Sequence, residues 1–188
     1  MGKLDWDTMK HKYKGDEVLS ALQKDIRRGN EMDAMHWALE FGYGTKAHFG
    51  LLRNRLKIIA YEDIGIANPD VVLQVSKAVD DMDYLYQNNN EDWEMVLAHI
   101  ILLLCRSEKS RIDDYFKVVM KDRWDKNKWE IPDYALDYHT VRGSKKGRRK
   151  HTKKGIEHFI NEGEKLENVK KVNLDDIYKK EAHKVWKG

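Results

Sequence analysis

Residues 60–69 read Ala60-Tyr61-Glu62-Asp63-Ile64-Gly65-Ile66-Ala67-Asn68-Pro69. They spell the end of one helix and the start of another. Gly65 supplies a left-handed residue at a helix C-terminus at no steric cost. Asn68-Pro69 marks the next start, because proline suits a first helical turn. Upstream, Thr45 is placed to cap a helix whose Phe49, Leu52, Leu56 and Ile59 recur at helical spacing. Downstream, Val72, Val75, Val79, Met82 and Tyr86 form a second stripe. The valines suit strands, but the period is nearer 3.6 than 2 and the segments are too long for typical strands.

The pattern continues outward in both directions. Val18, Leu19, Leu22 and Ile26 mark a helix with Asp16 as N-cap and Gly29 as its stop. Another starts near Glu31, with Ala34, Trp37, Ala38 and Phe41 inward, and ends at Gly42-Tyr43-Gly44. After an Asn88-Asn89-Asn90 loop, Trp93, Val96, Leu97, Ile100, Ile101 and Leu104 form the broadest apolar surface. Beyond Ser107 or Ser110 a further helix carries Ile112, Tyr115, Phe116 and Val119. The expectation is an all-α packed domain over 16–122. A basic, partly ordered extension follows over 123–188, with short elements at Ile131-Pro132 to Asp137 and Ile156 to Phe159 and a last helix over Leu174 to Trp186.

Composition narrows the function classes. Hydrophobic residues make up 41% of the 188, enough for a core, and 36% are charged, as solvated helix faces require. The polar N-terminus, Met1 to Lys14, lacks a signal core, and the apolar run Val96 to Cys105 is half a bilayer span. A cytoplasmic protein with no membrane contact is expected. Cys105 is the only cysteine, and its apolar setting reads as core rather than nucleophile.

Charge is uneven. Net charge is +3, yet 142–154 holds eight cations and no acid, leaving −5 for the remainder. Arg142, Lys145, Lys146, Arg148, Arg149, Lys150, Lys153 and Lys154 are the candidate nucleic-acid-binding residues, since dense charge on a glycine-containing loop can track phosphates without reading bases. Tyr138, His139, His151 and His158 are placed to stack or bond beside them. A solvated run and an acidic protein partner are the competing readings. His139, His151 and His158 stand 12 and 7 apart, which is not a compact ligand spacing, so no metal is expected. His36 and His99 read as packing residues; His11, His48 and His183 carry no signal. Trp37 and Trp93 fit the core, whereas Trp6, Trp124, Trp129 and Trp186 lie outside the stripes and are candidates for a contact between subunits.

Taken in order, Ser20-Ala21-Leu22-Gln23-Lys24-Asp25-Ile26-Arg27-Arg28-Gly29, Asp33-Ala34-Met35-His36-Trp37, Arg55-Leu56, the 60–69 stretch, Arg106-Ser107-Glu108-Lys109-Ser110 and Ile131-Pro132 with Leu136-Asp137 form a pattern. It resembles the C-terminal region of the replication-associated recombination protein A family, clamp-loader-related AAA+ ATPases that include the Werner-helicase-interacting ATPase. The similarity covers roughly 16–137 and is most specific at Glu62-Asp63-Ile64-Gly65 with Asn68-Pro69. Tyr61 stands where the family usually has a small residue, and Arg111 where it usually has Asn. The 188 residues contain no G-x-x-x-x-G-K-[ST] loop, so the family's ATPase is not carried over.

The resemblance implies an orthogonal helical bundle like a clamp-loader collar, self-association to a tetramer, and work at replication forks with single-stranded DNA-binding protein or a separate clamp-loader-like ATPase. Arg55, Glu62, Asp63, Gly65, Asn68 and Pro69 are its structural motif residues. Two acids at a helix C-terminus are electrostatically unfavourable and call for a cation, with Arg53 or Arg55 as candidates. The resulting expectation is a non-enzymatic, cofactor-free DNA-binding accessory of replication, repair or recombination. The rivals are a metal-dependent nuclease using Asp137, His139 and His158 with Glu62 and Asp63, and a pure protein adaptor or inhibitor.

Overall fold

The structure is a computed structural model that describes residues 9–166 and 173–187. It divides into two compact units, 1–126 and 127–188. Among the described residues every regular element is helical. Trp6 lies outside them.

The first unit contains α1 (Gly15–Arg28), α2 (Glu31–Gly42), α3 (Lys46–Ile59), α4 (Pro69–Gln87), α5 (Trp93–Arg106) and α6 (Ile112–Lys126). The local signals act largely as expected. Gly29 closes α1 at φ 74°, and its N–H and that of Asn30 reach back to carbonyls of the last turn. The Thr45 side chain accepts from the His48 N–H to cap α3, and Asn68 accepts from Val71 to cap α4, with Pro69 in the first turn. Asp16 does not cap α1. The helix begins two residues earlier than an Asp16 cap would place it, at Gly15, which puts Asp16 inside the first turn where its charge favours the helix dipole.

One face from each of α1 to α5 closes the core. Leu22, Ile26, Phe41, Leu52, Leu56, Ile59, Val75, Met82, Leu97, Ile100 and Leu104 are fully buried. Phe49 stacks on Tyr86 with ring centroids 3.6 Å apart, and Trp93 meets Phe49 edge-on at 5.6 Å. Trp37 is only partly buried, because its indole N–H turns out to donate to Asp25 at 2.8 Å. Cys105 lies in this core, and burial pushes its thiol up to about 11. That suppresses the thiolate a nucleophile would need.

The sixth helix departs from expectation. Ile112, Tyr115, Phe116 and Val119 do form a helical stripe, but all four are exposed, and α6 buries no residue. Helical spacing registers that residues share a face. It does not say that the same chain covers that face. Among the described residues, no helix is long and apolar enough to cross a membrane.

The second unit contains a single 3₁₀ turn at Asp133–Ala135, α7 (Val141–Lys145), α8 (Lys153–His158) with a π-turn over Phe159–Gly163, and α9 (Asn173–Lys187). Its order comes from one local device used twice. Thr140 donates its hydroxyl to the Asp137 carbonyl at 3.0 Å and accepts the Gly143 N–H at 2.9 Å. Thr152 repeats this with the Arg149 carbonyl at 2.7 Å and the Gly155 N–H at 3.2 Å. Each glycine is pressed on the same carbonyl. A Cβ on Gly143 would stand 1.8 Å from Asp137 O, and one on Gly155 2.2 Å from Arg149 O. His139-Thr140-x-x-Gly143 and His151-Thr152-x-x-Gly155 are thus a short tandem repeat that carries the fold of this segment.

Candidate functional site

Residues from three signature stretches of the first unit, Gln23 and Arg27, Glu62 and Asp63, and Ser110, meet around one carboxylate. Helix α3 runs into a π-turn over Ala60–Ile64, closed by the Gly65 N–H on the Ala60 carbonyl. That wider turn delivers Glu62 and Asp63 towards α1. Asp63 is fully buried. Its Oδ1 accepts from Arg27 Nε at 2.6 Å and its Oδ2 from Gln23 Nε2 at 2.9 Å. Gln23 also donates to Glu62 at 2.8 Å, and Arg27 Nη2 lies 3.6 Å from the same carboxylate. Arg111 stands 3.5 Å from both acids; its buried Nε lacks hydrogen-bond geometry to Asp63. The Asp63 carbonyl accepts the Ser110 N–H at 3.0 Å, tying in the segment before α6.

The expected partners, Arg53 and Arg55, are not these cations. Arg53 pairs with Asp83 on α4, and Arg55 has no ion pair among the described residues. The reason is tertiary: α1 packs against α3 and presents Gln23 and Arg27, one turn apart, to the acids. Both residues stand in the quoted signature, so the signal was present; what the sequence lacked was the pairing across some 36 positions. Gly65 has φ 46° but ψ −127°, a positive-φ residue outside the left-handed helical well. Any side chain there would meet Asp113, 2.1 Å from its Cβ.

The neighbouring signature, Arg106-Ser107-Glu108-Lys109-Ser110, closes α5. Lys109 Nζ donates to the carbonyls of Leu104, Cys105 and Ser107 at 2.7, 3.0 and 2.7 Å. A cation thereby satisfies the free carbonyls of a helix end. The two departures from the family pattern are accommodated. Tyr61 is exposed, and Arg111 additionally bridges to Asp114.

In the second unit the eight basic candidates separate into two groups. Arg148 is a structural clamp. Its Nη1 donates to the carbonyls of Asp133 and Leu136 at 3.0 and 2.8 Å, and its Nη2 to the Asp133 carboxylate at 2.5 Å. Lys146 also pairs with Asp133, and Lys154 donates to the Lys146 carbonyl at 2.8 Å. Hydrogen bonds from Arg148, then Lys146, hold the Asp133 carboxyl far below the usual range. Lys153 lies 4.0 Å from Glu157. Arg142, Lys145, Arg149 and Lys150 are exposed and have no ion pair among the described residues.

Asp137 accepts from the His139 N–H and faces its Nδ1, both at 2.9 Å; this hydrogen bonding lowers the Asp137 carboxyl from its ordinary value. His158 Nε2 is buried without a hydrogen-bond partner among the described residues. Asp137, His139 and His158 do not gather their ligand atoms as a metal group. Among the described residues, the group that does is His11, His36 and Glu40.

Comparison with known proteins places the chain among relatives. The model of the family described as MgsA AAA+ ATPase C terminal matches residues 29–184. Replication-associated recombination protein A of Bacillus subtilis (strain 168) is 33% identical over 97 residues, which cover 50% of this chain and 21% of that protein. The chain therefore spans about a fifth of the length of that relative.

Proposed function

The chain belongs to the MgsA AAA+ ATPase C-terminal family, and from that premise we propose that it is a non-enzymatic, self-associating accessory of DNA replication, repair or recombination. Its helical body makes protein contacts, and its basic second unit holds DNA by the phosphate backbone. The observation that carries this reading is the division of the basic segment. Lys146, Arg148 and Lys154 build a scaffold, while Arg142, Lys145, Arg149 and Lys150 remain outside it, exposed. Exposed cations on an ordered segment suit sequence-independent phosphate contact. Asp63, one of the acids in the nuclease reading, has both oxygens engaged by Arg27 and Gln23, which favours a structural role.

The test is to incubate labelled single-stranded and duplex DNA with the full chain and magnesium, manganese or zinc. DNA bound and recovered intact supports the proposal; cleavage that needs Asp137 or His139 supports the nuclease reading instead. A chain that binds no DNA but captures a replication protein supports the adaptor.

The exposed side chains of α6 support self-association. Its Ile112, Tyr115, Phe116 and Val119 are exposed along one helix face. Exposed apolar and aromatic residues so grouped mark protein contacts. A tetramer is the assembly expected, built through this face. Native mass measurement of Phe116→Asp, at a position 67% exposed and so free of the core, should give a smaller assembly with unchanged helicity. A wild-type chain that is already monomeric would reject the assembly.

A further inference from the structure

We propose that His11, His36 and Glu40 form a binding site for a zinc-type divalent cation that pins the segment before α1 onto α2. His36 and Glu40 stand four apart on α2 and so share a face. The segment before α1 brings His11 over them: its N–H donates to Glu40 Oε2 at 3.4 Å and its ring Nδ1 contacts Glu40 Oε1. The three ligand atoms all lie within 4.8 Å of one another.

The carboxylate is the telling group. Glu40 is 4% exposed, and among the described residues no Lys or Arg pairs with it; its partners come from His11 alone. A buried carboxylate without a fixed positive charge is costly. A divalent ion held by this carboxylate and two imidazoles removes that cost. Two histidines and a glutamate are a known zinc donor set, with a fourth position left for water. Both histidines are exposed, which places that position at the surface. Imidazole donors disfavour magnesium and calcium. An aromatic fence, with Tyr13 to Trp37 at 5.4 Å and His36 to Trp37 at 4.8 Å between centroids, holds His36 in place.

The test titrates the metal-stripped full chain with cobalt(II) as the spectroscopic stand-in, then displaces it with zinc(II). Expected is one visible-absorbing cobalt per chain, displaced by one zinc and unaffected by excess magnesium. Loss of an outer-shell partner alone weakens metal sites roughly 10–100-fold, so His36→Ala, which removes a direct donor at an exposed position, should weaken binding more than about a hundredfold. Glu40→Gln should do the same, and His183→Ala should change nothing. Zinc should also slow tryptic cleavage at Lys12 and Lys14 in the wild type but not in His36→Ala. Absence of a one-to-one cobalt signal, or a signal unchanged in His36→Ala, overturns the proposal.

Discussion

Arg27→Ala should lower the stability of the first unit by about 3 kcal/mol, and by more than Asp63→Asn does. Removing one partner of a buried pair costs roughly 3–5 kcal/mol because it strands the other charge. Arg27→Ala strands Asp63, whose side chain is 1% exposed. The expected loss sits at the low end because Gln23 still donates at 2.9 Å and Arg111 remains 3.5 Å away. Asp63→Asn leaves Arg27, which is 29% exposed and can turn to Glu62 and water, so it should cost only about 1–2 kcal/mol. The double variant should lose less than the two singles together, because Asn no longer needs the cation. Urea unfolding of the four proteins checks this. Strict additivity would mean that Asp63 is held in some other way. Arg111→Ala, with longer contacts and a third of its side chain in water, should cost at most about 1 kcal/mol.

Gly143→Ala should unfold the second unit while sparing the first. The new methyl would stand 1.8 Å from the Asp137 carbonyl, which is backbone and is itself held by Thr140. Overpacking of this kind costs about 1–3 kcal/mol or more. The second unit has little to oppose it: Leu136 is its buried apolar side chain among the described residues, with two small helices held by threonine caps and the Arg148 clamp. Limited proteolysis should then cut between residues 127 and 166 while the 9–126 region stays resistant. Gly147→Ala is the informative control. Its φ of 81° makes alanine unfavourable by about 1 kcal/mol, yet a Cβ there meets only the Lys154 side chain at 3.7 Å. Equal proteolysis of the two variants would show that the carbonyl contact is not what the glycine protects.

What could be read from the chain divides along physical lines. The stripes of α1 to α5 were legible because a helix buries one face and so writes its period into the sequence; Leu22, Leu56, Val75 and Ile100 fell where expected. The same rule found the α6 helix but did not foretell that its stripe stays exposed, since period records amphipathy and not what covers it. Capping by Thr45 was legible because the interacting atoms are three residues apart. The partner of Asp63 was not, because Arg27 reaches it only after α1 packs on α3. The basic segment gave its sign but not its structure. Nothing in a run of cations distinguishes Arg148, clamped on two carbonyls, from Arg149 beside it in solvent. The paired His-Thr-x-x-Gly pattern was the available clue that this stretch was ordered. His36 and Glu40 share a helical face by spacing alone, whereas His11 joins them only through the fold.

The central claim is that the exposed basic residues of a structured second unit hold DNA by its phosphates. Its most direct test is the salt dependence of duplex binding by the full chain beside a variant with Arg142, Lys145, Arg149 and Lys150 changed to Gln. If the four meet four phosphates, log K should fall with log salt at a slope of about −3.6 in the wild type, with equal affinity for unrelated sequences. The variant should bind with a slope near zero and much reduced affinity, while its unfolding is unchanged because Arg148 is left in place. Identical slopes in the two proteins, or no salt-sensitive binding in either, would contradict the account.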